Sequence, residues 1–313
     1  MIDKILIESF ARATERAAYG ASLFKGKNDK ISADQAAVDE MRKQLNSINM
    51  KGKIVIGEGE MDEAPMLYIG EEVGNKIGEN FDIAVDPLEG TNFTAQNLPN
   101  ALSVLAVTHK GNLLNAPDMY MDKIAIGPGF SEKIVDLDFS VEKNIKLLSE
   151  AKNVSPQNLN ACLLNRPRHQ KIINSLNSLN VKINFITDGD VSGIISVADP
   201  NSNIDIFLGI GGAPEGVLGA AALSCLNCQM QGRLNFNNED EKIRAKKIGI
   251  NELDRKYNMN DIVKGDVIFC ATGVTDGDLV NGIKDNGKFF EAETYVLHKS
   301  SGINKIIKNK IIK

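Results

Sequence analysis

The chain has 313 residues, enough for two ordinary domains or one large one. Apolar residues make up 42% and charged residues 25%, a normal balance for a soluble globular protein, and with no Trp and 5% aromatics the core must be aliphatic. A net charge of −5 argues against a nucleic-acid partner, which needs a basic face.

The opening stretch, MIDKILIESFARATERAAYG, holds Asp3 and Glu8, lacks the layout of a secretory leader and predicts an amphipathic first helix. No apolar run approaches the about 18 residues of a membrane helix. The expectation is a cytoplasmic chain with no membrane partner. Residues 32–35, SADQ, have capping-box spacing and predict a helix through AAVDEMRKQL. KIVIG at 53–57 is a β-branched run ending in glycine, which predicts a strand. Pro65 sits where a helix's first turn tolerates proline, so PMLYIGEEVGNKI is expected to be helical. FDIAV, LSVLAVT and DKIAIGP predict three further strands, and Ser140 caps the predicted helix VEKNIKLLSEAKN.

After that the rhythm changes. ACLLN, a helix, VKINFI, a short helix, NIDIFLGI and a long Ala-rich helix alternate as in α/β architecture. A boundary is placed at residues 155–156, dividing the chain into domains 1–156 and 157–313. The basic tail at 305–313, KIIKNKIIK, reads as a solvated terminus. TDGD occurs at 187–190 and at 275–278, both times at an expected strand end.

Four acidic segments carry most of the chemistry. They are Asp34; IGEGEMDEAP with Glu58, Glu60, Asp62 and Glu63; DPLEGT; and GIGGAPEGVLG with Glu215. Asp34 and Glu215 also read as first-turn acids favoured by the helix dipole, and EGEMDE as a solvated loop. DPLEGT is more specific. Asp86 ends an apolar strand, and Pro87, which has no N–H to donate, is expected to stop the ladder. The turn brings Glu89 back beside Asp86 and frees the Leu88 carbonyl. Two carboxylates so close repel unless a cation neutralises them. A hard divalent ion, Mg²⁺ or Mn²⁺, takes this set of carboxylates, backbone carbonyl and water. Gly90 permits the tight turn, and Thr91 offers a hydroxyl that relays a proton or caps the next turn.

Rival motifs fail on particular residues. Positions 188–199 match the start of an EF-hand loop, but a strand precedes them and position twelve is Asp199 rather than Glu. GIGGAPEG puts Pro214 where a dinucleotide fingerprint needs its third glycine, and no phosphate-binding GxxxxGK[ST] loop occurs. Cys225 and Cys228 lie in an apolar helical run without partners spaced for zinc, so they read as buried thiols. Arg166 and Arg168, in NRPRH at a predicted helix start, form a natural phosphate cradle.

These segments together resemble the class II (GlpX-type) fructose-1,6-bisphosphatases, within the lithium-sensitive, metal-dependent sugar and inositol phosphatases. The resemblance runs from FARATERAA and DQAAVDEMR through VIGEGEMDEAPMLYIGEEVG, AVDPLEGT and YMDKIAIGP to NRPRH, ITDGDVSG, GIGGAPEGVLGAAAL and ATGVTDGDL. It implies an α/β fold, a layered α/β/α/β/α sandwich with its site between two domains. The metal ligands it implies are Asp34, Glu58, Asp86, Glu89 and Glu215, with the Leu88 carbonyl. Thr91 is the implied catalytic hydroxyl, relayed through Asp34 or Glu58, with Lys30 and Asp62 needed for turnover. Substrate contacts are implied at Glu89, Gly90, Thr91, Tyr120, Arg166, Pro167, Arg168, Asp188, Gly189, Asp190 and Gly212. The N-terminal domain would then bind most of the metal, and the C-terminal domain would supply substrate contacts and one ligand. The expected reaction is hydrolysis of the 1-phosphate of fructose 1,6-bisphosphate with Mn²⁺ or Mg²⁺, by a homo-oligomer, dimer or tetramer. The alternatives are sedoheptulose 1,7-bisphosphate as substrate, or a non-catalytic metal-binding relative. The chain departs from the family at ETYVLHKSSGINKIIKNKIIK, where the resemblance implies an arginine and a longer segment.

Overall fold

The computed structural model describes residues 1–57 and 66–313. Glu58, Asp62 and Pro65 therefore lie outside the described residues. The chain begins with α1 (Leu6–Ser22), α2 (Lys30–Asn46), β1 (Lys51–Ile56), β2 (Glu72–Val73), β3 (Asn80–Glu89), α3 (Thr91–Gln96) and β4 (Leu102–His109). It continues with β5 (Tyr120–Ile126), α4 (Val141–Lys152), β6 (Asn160–Leu164), α5 (Gln170–Ser178), β7 (Lys182–Ile186) and α6 (Asp190–Ile195). Next come β8 (Ile206–Gly212), α7 (Ala213–Cys225), β9 (Gln229–Asn235), α8 (Glu239–Lys247), β10 (Lys256–Asn258) and α9 (Met259–Ile262). The last elements are β11 (Ile268–Gly273), β12 (Lys284–Asp285), β13 (Phe289–His298) and β14 (Ile303–Ile312).

Two compact units result: Met1–Asp118 with Lys264–Lys313, and Met119–Val263. The boundary expected at residues 155–156 falls inside the second unit, just after α4. The return of the chain to the first sheet through β11 leaves no compositional mark, because β11 is as apolar as any strand of the second unit.

Among the described residues the first unit holds a mixed sheet of eight strands, ordered β12-β13-β11-β4-β3-β1-β2 with β14 on β13. Helices α1 and α2 pack on it. Phe10, Ala11, Ala17, Ala18 and Ala21 of α1 recur at helical spacing and are buried against the sheet, with Phe10 edge-on to Phe81 at 6.3 Å. The helices touch closely: a Cβ on Gly20 would lie 2.6 Å from the Ala36 carbonyl oxygen.

Four local expectations are corrected here. Helix α2 starts before Ser32, because Asp29 is its cap and accepts the Ser32 N–H at 3.0 Å. Met66–Ile77 is not helical; Gly70, Gly74 and Lys76 take φ of 101°, 93° and 67°, and the chain forms turns and β2 instead. Pro87 does not end β3. The ladder resumes at Glu89, which pairs with Leu102, while Asp86 pairs with Val104, so β3 carries one residue more than β4 in a bulge. The tail is no frayed terminus either: β14 pairs with β13 from His298↔Ile303 to Phe289↔Ile312. Its alternation explains this, because Ile303, Ile307 and Ile311 join the core while Lys308 and Lys310 stay exposed on the edge strand.

The second unit is a six-stranded sheet, β10-β9-β5-β8-β6-β7, with β6 parallel to both β7 and β8 and β5 antiparallel to β8 and β9. Ile124, Ile126, Leu163, Leu208, Ile145, Leu148 and Leu176 form a core between one sheet face and α4 and α5. Helices α6 and α7 pack together on the other face. As expected, Ser140 caps α4 by accepting the Lys143 N–H. Among the described residues no helix is long and apolar enough to cross a membrane.

Candidate active site

In the first unit the bulge does the local work. With Pro87 unable to donate, the Leu88 N–H turns to the Asp86 carboxylate at 3.1 Å. Leu88 is 1% and Glu89 4% exposed, whereas Asp86 is half-buried. Gly90 then takes φ 81°, ψ 50°, a left-handed turn in which a Cβ would meet the Phe93 ring at 2.8 Å. Gly90, not Thr91, is the cap of α3; Thr91 is its first residue.

Helix α3 is tied to the start of α2. The α1–α2 loop donates from the Gly26 N–H to Thr94 O at 2.9 Å and from Asn28 to Ala95 O at 2.8 Å. That loop leads through Asp29 into Lys30 and Asp34, and α2 packs on α3. The sheet adds its own juxtaposition. Strand β1 runs parallel to β3, with Ile56 beside Ala84, so both carry the chain to the same sheet end. One then leads to Gly57 and the other to Asp86.

Asp34 is the telling side chain. Its Oδ1 is buried and has no hydrogen-bond partner among the described residues. Burial pushes its carboxyl up to about 6 from an ordinary 3.8. A carboxylate oxygen in that condition suits a cation, and with Asp86, Glu89 and the Leu88 carbonyl the donors are all hard oxygens. Among the described residues, no three His, Cys, Asp or Glu side chains are already gathered as a metal cluster. Two of the expected residues, Glu58 and Asp62, lie outside them.

In the second unit the expected substrate residues share one end of the sheet. The parallel strands β6, β7 and β8 lead at their C-terminal ends to Arg166–His169, to residues 187–190, and to Gly211–Glu215 respectively. Antiparallel β5 begins there, with Tyr120 opposite Gly212. Ligands of open α/β sheets bind at such strand ends. Arg166 donates to the Thr187 carbonyl at 2.6 Å and Arg168 to that of Ile210 at 2.9 Å, and the Arg168 guanidinium lies 4.7 Å over the Tyr120 ring. Pro167 opens the short turn that carries Arg168. Gly189, at φ 84°, caps α6, and Asp190 opens it. Burial raises the Asp188 carboxyl, opposed by the Gly189 N–H. Glu215 is the third residue of α7, and the Ala213 N–H bonds the Met119 carbonyl at 2.7 Å, fixing that helix start on the head of β5.

Two residues escaped the sequence reading. His169 is fully buried: the Ile210 N–H donates to its Nε2 at 2.8 Å, so Nδ1 carries the proton and donates to Leu164 O at 2.7 Å. It clamps β8 to the end of β6. Lys123 is likewise buried, on β5, and pairs with Asp190. A lysine within the apolar run YMDKIAIGP was the available signal. Cys228 is buried as expected and Cys225 half-buried; burial pushes the Cys228 thiol up to about 12, which suits an inert core thiol.

Two mixed sheets with these helices, and an Asp-Pro-Leu-Glu-Gly-Thr bulge ending a central strand, are those of an α/β sandwich phosphatase. The family model for bacterial, glpX-encoded fructose-1,6-bisphosphatase matches residues 4–311, and the chain belongs to that family. It is 43% identical over 319 aligned residues to the class 2 fructose-1,6-bisphosphatase of Haemophilus influenzae, covering 97% of this chain and 96% of that protein. It is 45% identical over 312 residues to fructose-1,6-bisphosphatase 1 class 2 of Escherichia coli strain K12, covering 95% and 92%. The class 2 enzyme of Shigella flexneri gives the same figures, 45% with 95% and 92%.

Proposed function

We propose that this chain removes the 1-phosphate of fructose 1,6-bisphosphate, giving fructose 6-phosphate and inorganic phosphate. The observation that carries the reading is the family match across nearly all of the chain, joined to the carboxylate-bearing bulge of β3. Phosphoric monoester hydrolysis is what membership of this family implies.

In the first unit, Asp34, Asp86, Glu89, the Leu88 carbonyl and Glu58 would hold Mg²⁺ or Mn²⁺, with Glu215 a ligand from the second. Such ions, when bound, neutralise phosphate charge and acidify the attacking water. Thr91 would orient that water in line with the ester bond and pass its proton to Asp34 or Glu58. Lys30 and Asp62 would support turnover.

In the second unit, Arg166, Pro167, Arg168 and Tyr120 would take the 6-phosphate. Each guanidinium has five N–H donors, so the carbonyl bonds to Thr187 and Ile210 orient it while leaving donors for phosphate oxygens. Asp188, Gly189, Asp190 and Gly212 would take the sugar hydroxyls, because carboxylates repel phosphate and accept O–H donors. Phosphate release from a panel of esters tests this. Paired arginines predict preference for bisphosphates over monophosphates, and equal rates on both would refute the assignment. Sedoheptulose 1,7-bisphosphate belongs in the panel.

A further inference from the structure

Lys123 is 0% exposed, in the middle of β5. Its ammonium donates to Asp190 Oδ2 at 2.5 Å and to the Gly212 carbonyl at 3.0 Å. A lysine taken wholly out of water is costly unless it is paired and hydrogen-bonded, and an aliphatic side chain would fill a strand position more simply. The neighbouring glycines leave it room. A Cβ on Gly211 would lie 1.9 Å from Asp190 Oδ2 and 2.8 Å from Lys123 Nζ, and one on Gly216 would lie 3.1 Å from Lys123 Cδ.

The two acceptors belong to different elements. Asp190 opens α6, and Gly212 caps α7, whose third residue is Glu215. We infer that Lys123 is a positioning residue: it holds the Asp190 carboxylate as a fixed, charge-compensated acceptor for a sugar hydroxyl and pins the Gly212 carbonyl at the head of the helix that carries Glu215. The ion pair is independent of the functional reading, but the sugar contact rests on it. Asp190 is itself only 5% exposed, so without the ammonium its negative charge would face an anionic sugar phosphate uncompensated.

The test uses fructose 6-phosphate binding by calorimetry and steady-state kinetics on fructose 1,6-bisphosphate, for wild type, Lys123→Met, Asp190→Asn and the double variant. Lys123→Met is expected to weaken fructose 6-phosphate binding and raise KM by about tenfold or more. Asp190→Asn is expected to do the same. Because the two act as a unit, the double variant should bind within twofold of Asp190→Asn. A purely structural lysine would lower Tm and leave Kd and KM unchanged well below it. Binding by Lys123→Met within twofold of wild type overturns the inference, as does a double variant in which the two losses multiply. If Lys123→Met does not fold, Lys123→Gln, which keeps an N–H donor but removes the charge, takes its place: a loss of about tenfold in fructose 6-phosphate binding is expected, and binding within twofold of wild type overturns the inference. A wild type that binds fructose 6-phosphate but releases no phosphate overturns the activity alone, and the calorimetry still judges Lys123.

Discussion

Gly212→Ala isolates the placement of one carboxylate. Gly212 has φ −62° and ψ 142°, which alanine adopts freely, so the substitution brings no backbone strain. Its new Cβ would stand 1.9 Å from Glu215 Oε2, 2.6 Å from Cδ and 2.8 Å from Oε1. To reach the 3.0 Å below which real Cβ contacts essentially never fall, the carboxylate must retreat by about 1.1 Å. Misplacing a reacting group by about 1 Å costs on the order of 100-fold in rate, or about 2.7 kcal/mol in the barrier. The clash falls on the far end of a side chain, so stability should change by less than about 1 kcal/mol. The assay is phosphate release from fructose 1,6-bisphosphate against metal concentration, with Tm measured alongside. The expected result is a fall of about 100-fold in kcat and a higher metal requirement, with Tm nearly unmoved. Unchanged kcat and metal dependence would refute the proposed role of Glu215 as a metal ligand.

Three further outcomes follow from the same structure. Thr91→Ala should lower kcat by about 100-fold or more and alter stability by no more than about 0.5 kcal/mol, because Gly90 is the cap of α3; near-normal kcat would remove Thr91 from the chemistry. Asp34 has a folded pKa of about 6, above its ordinary 3.8, so the folded state favours the neutral carboxyl. That stabilisation is complete below about pH 4 and is lost as pH rises through about 6. In metal-free protein, Tm of wild type relative to Asp34→Asn should therefore fall from pH 4 to pH 7, and a difference that rises would contradict the burial argument. His169→Ala leaves the Ile210 N–H and Leu164 carbonyl without their partner and should cost about 3 kcal/mol by urea denaturation, while raising KM through the displaced Arg168.

Legibility followed the range of the physics. Strands KIVIG, FDIAV and LSVLAVT were readable because β-branched and apolar runs bounded by turn residues report local burial. Ser140 was readable because its cap is made within three residues. The Met66–Ile77 stretch misled because a proline suited to a first helical turn says nothing of the glycines beyond it, which are held at positive φ by the turns they make. The tail misled because KIIKNKIIK looks like a charged end until β13 is known to lie alongside it. DPLEGT announced its carboxylates but not its bulge, since nothing local says that Glu89 rejoins β4 at Leu102. The pairing of Lys123 with Asp190, 67 positions apart, was invisible for the same reason. A buried charge can be read from sequence as an oddity, but its partner is supplied only by the fold.

The proposal rests on hard-oxygen ligands, Asp34, Asp86 and Glu89 among them, holding divalent cations for the cleavage of a sugar bisphosphate. Phosphate release from fructose 1,6-bisphosphate, followed as Mn²⁺ or Mg²⁺ is titrated in and then removed with EDTA, tests it most directly. Turnover should appear with metal, vanish with chelator and be lost in Glu89→Gln. Release that persists in EDTA, or none with either ion, would contradict it.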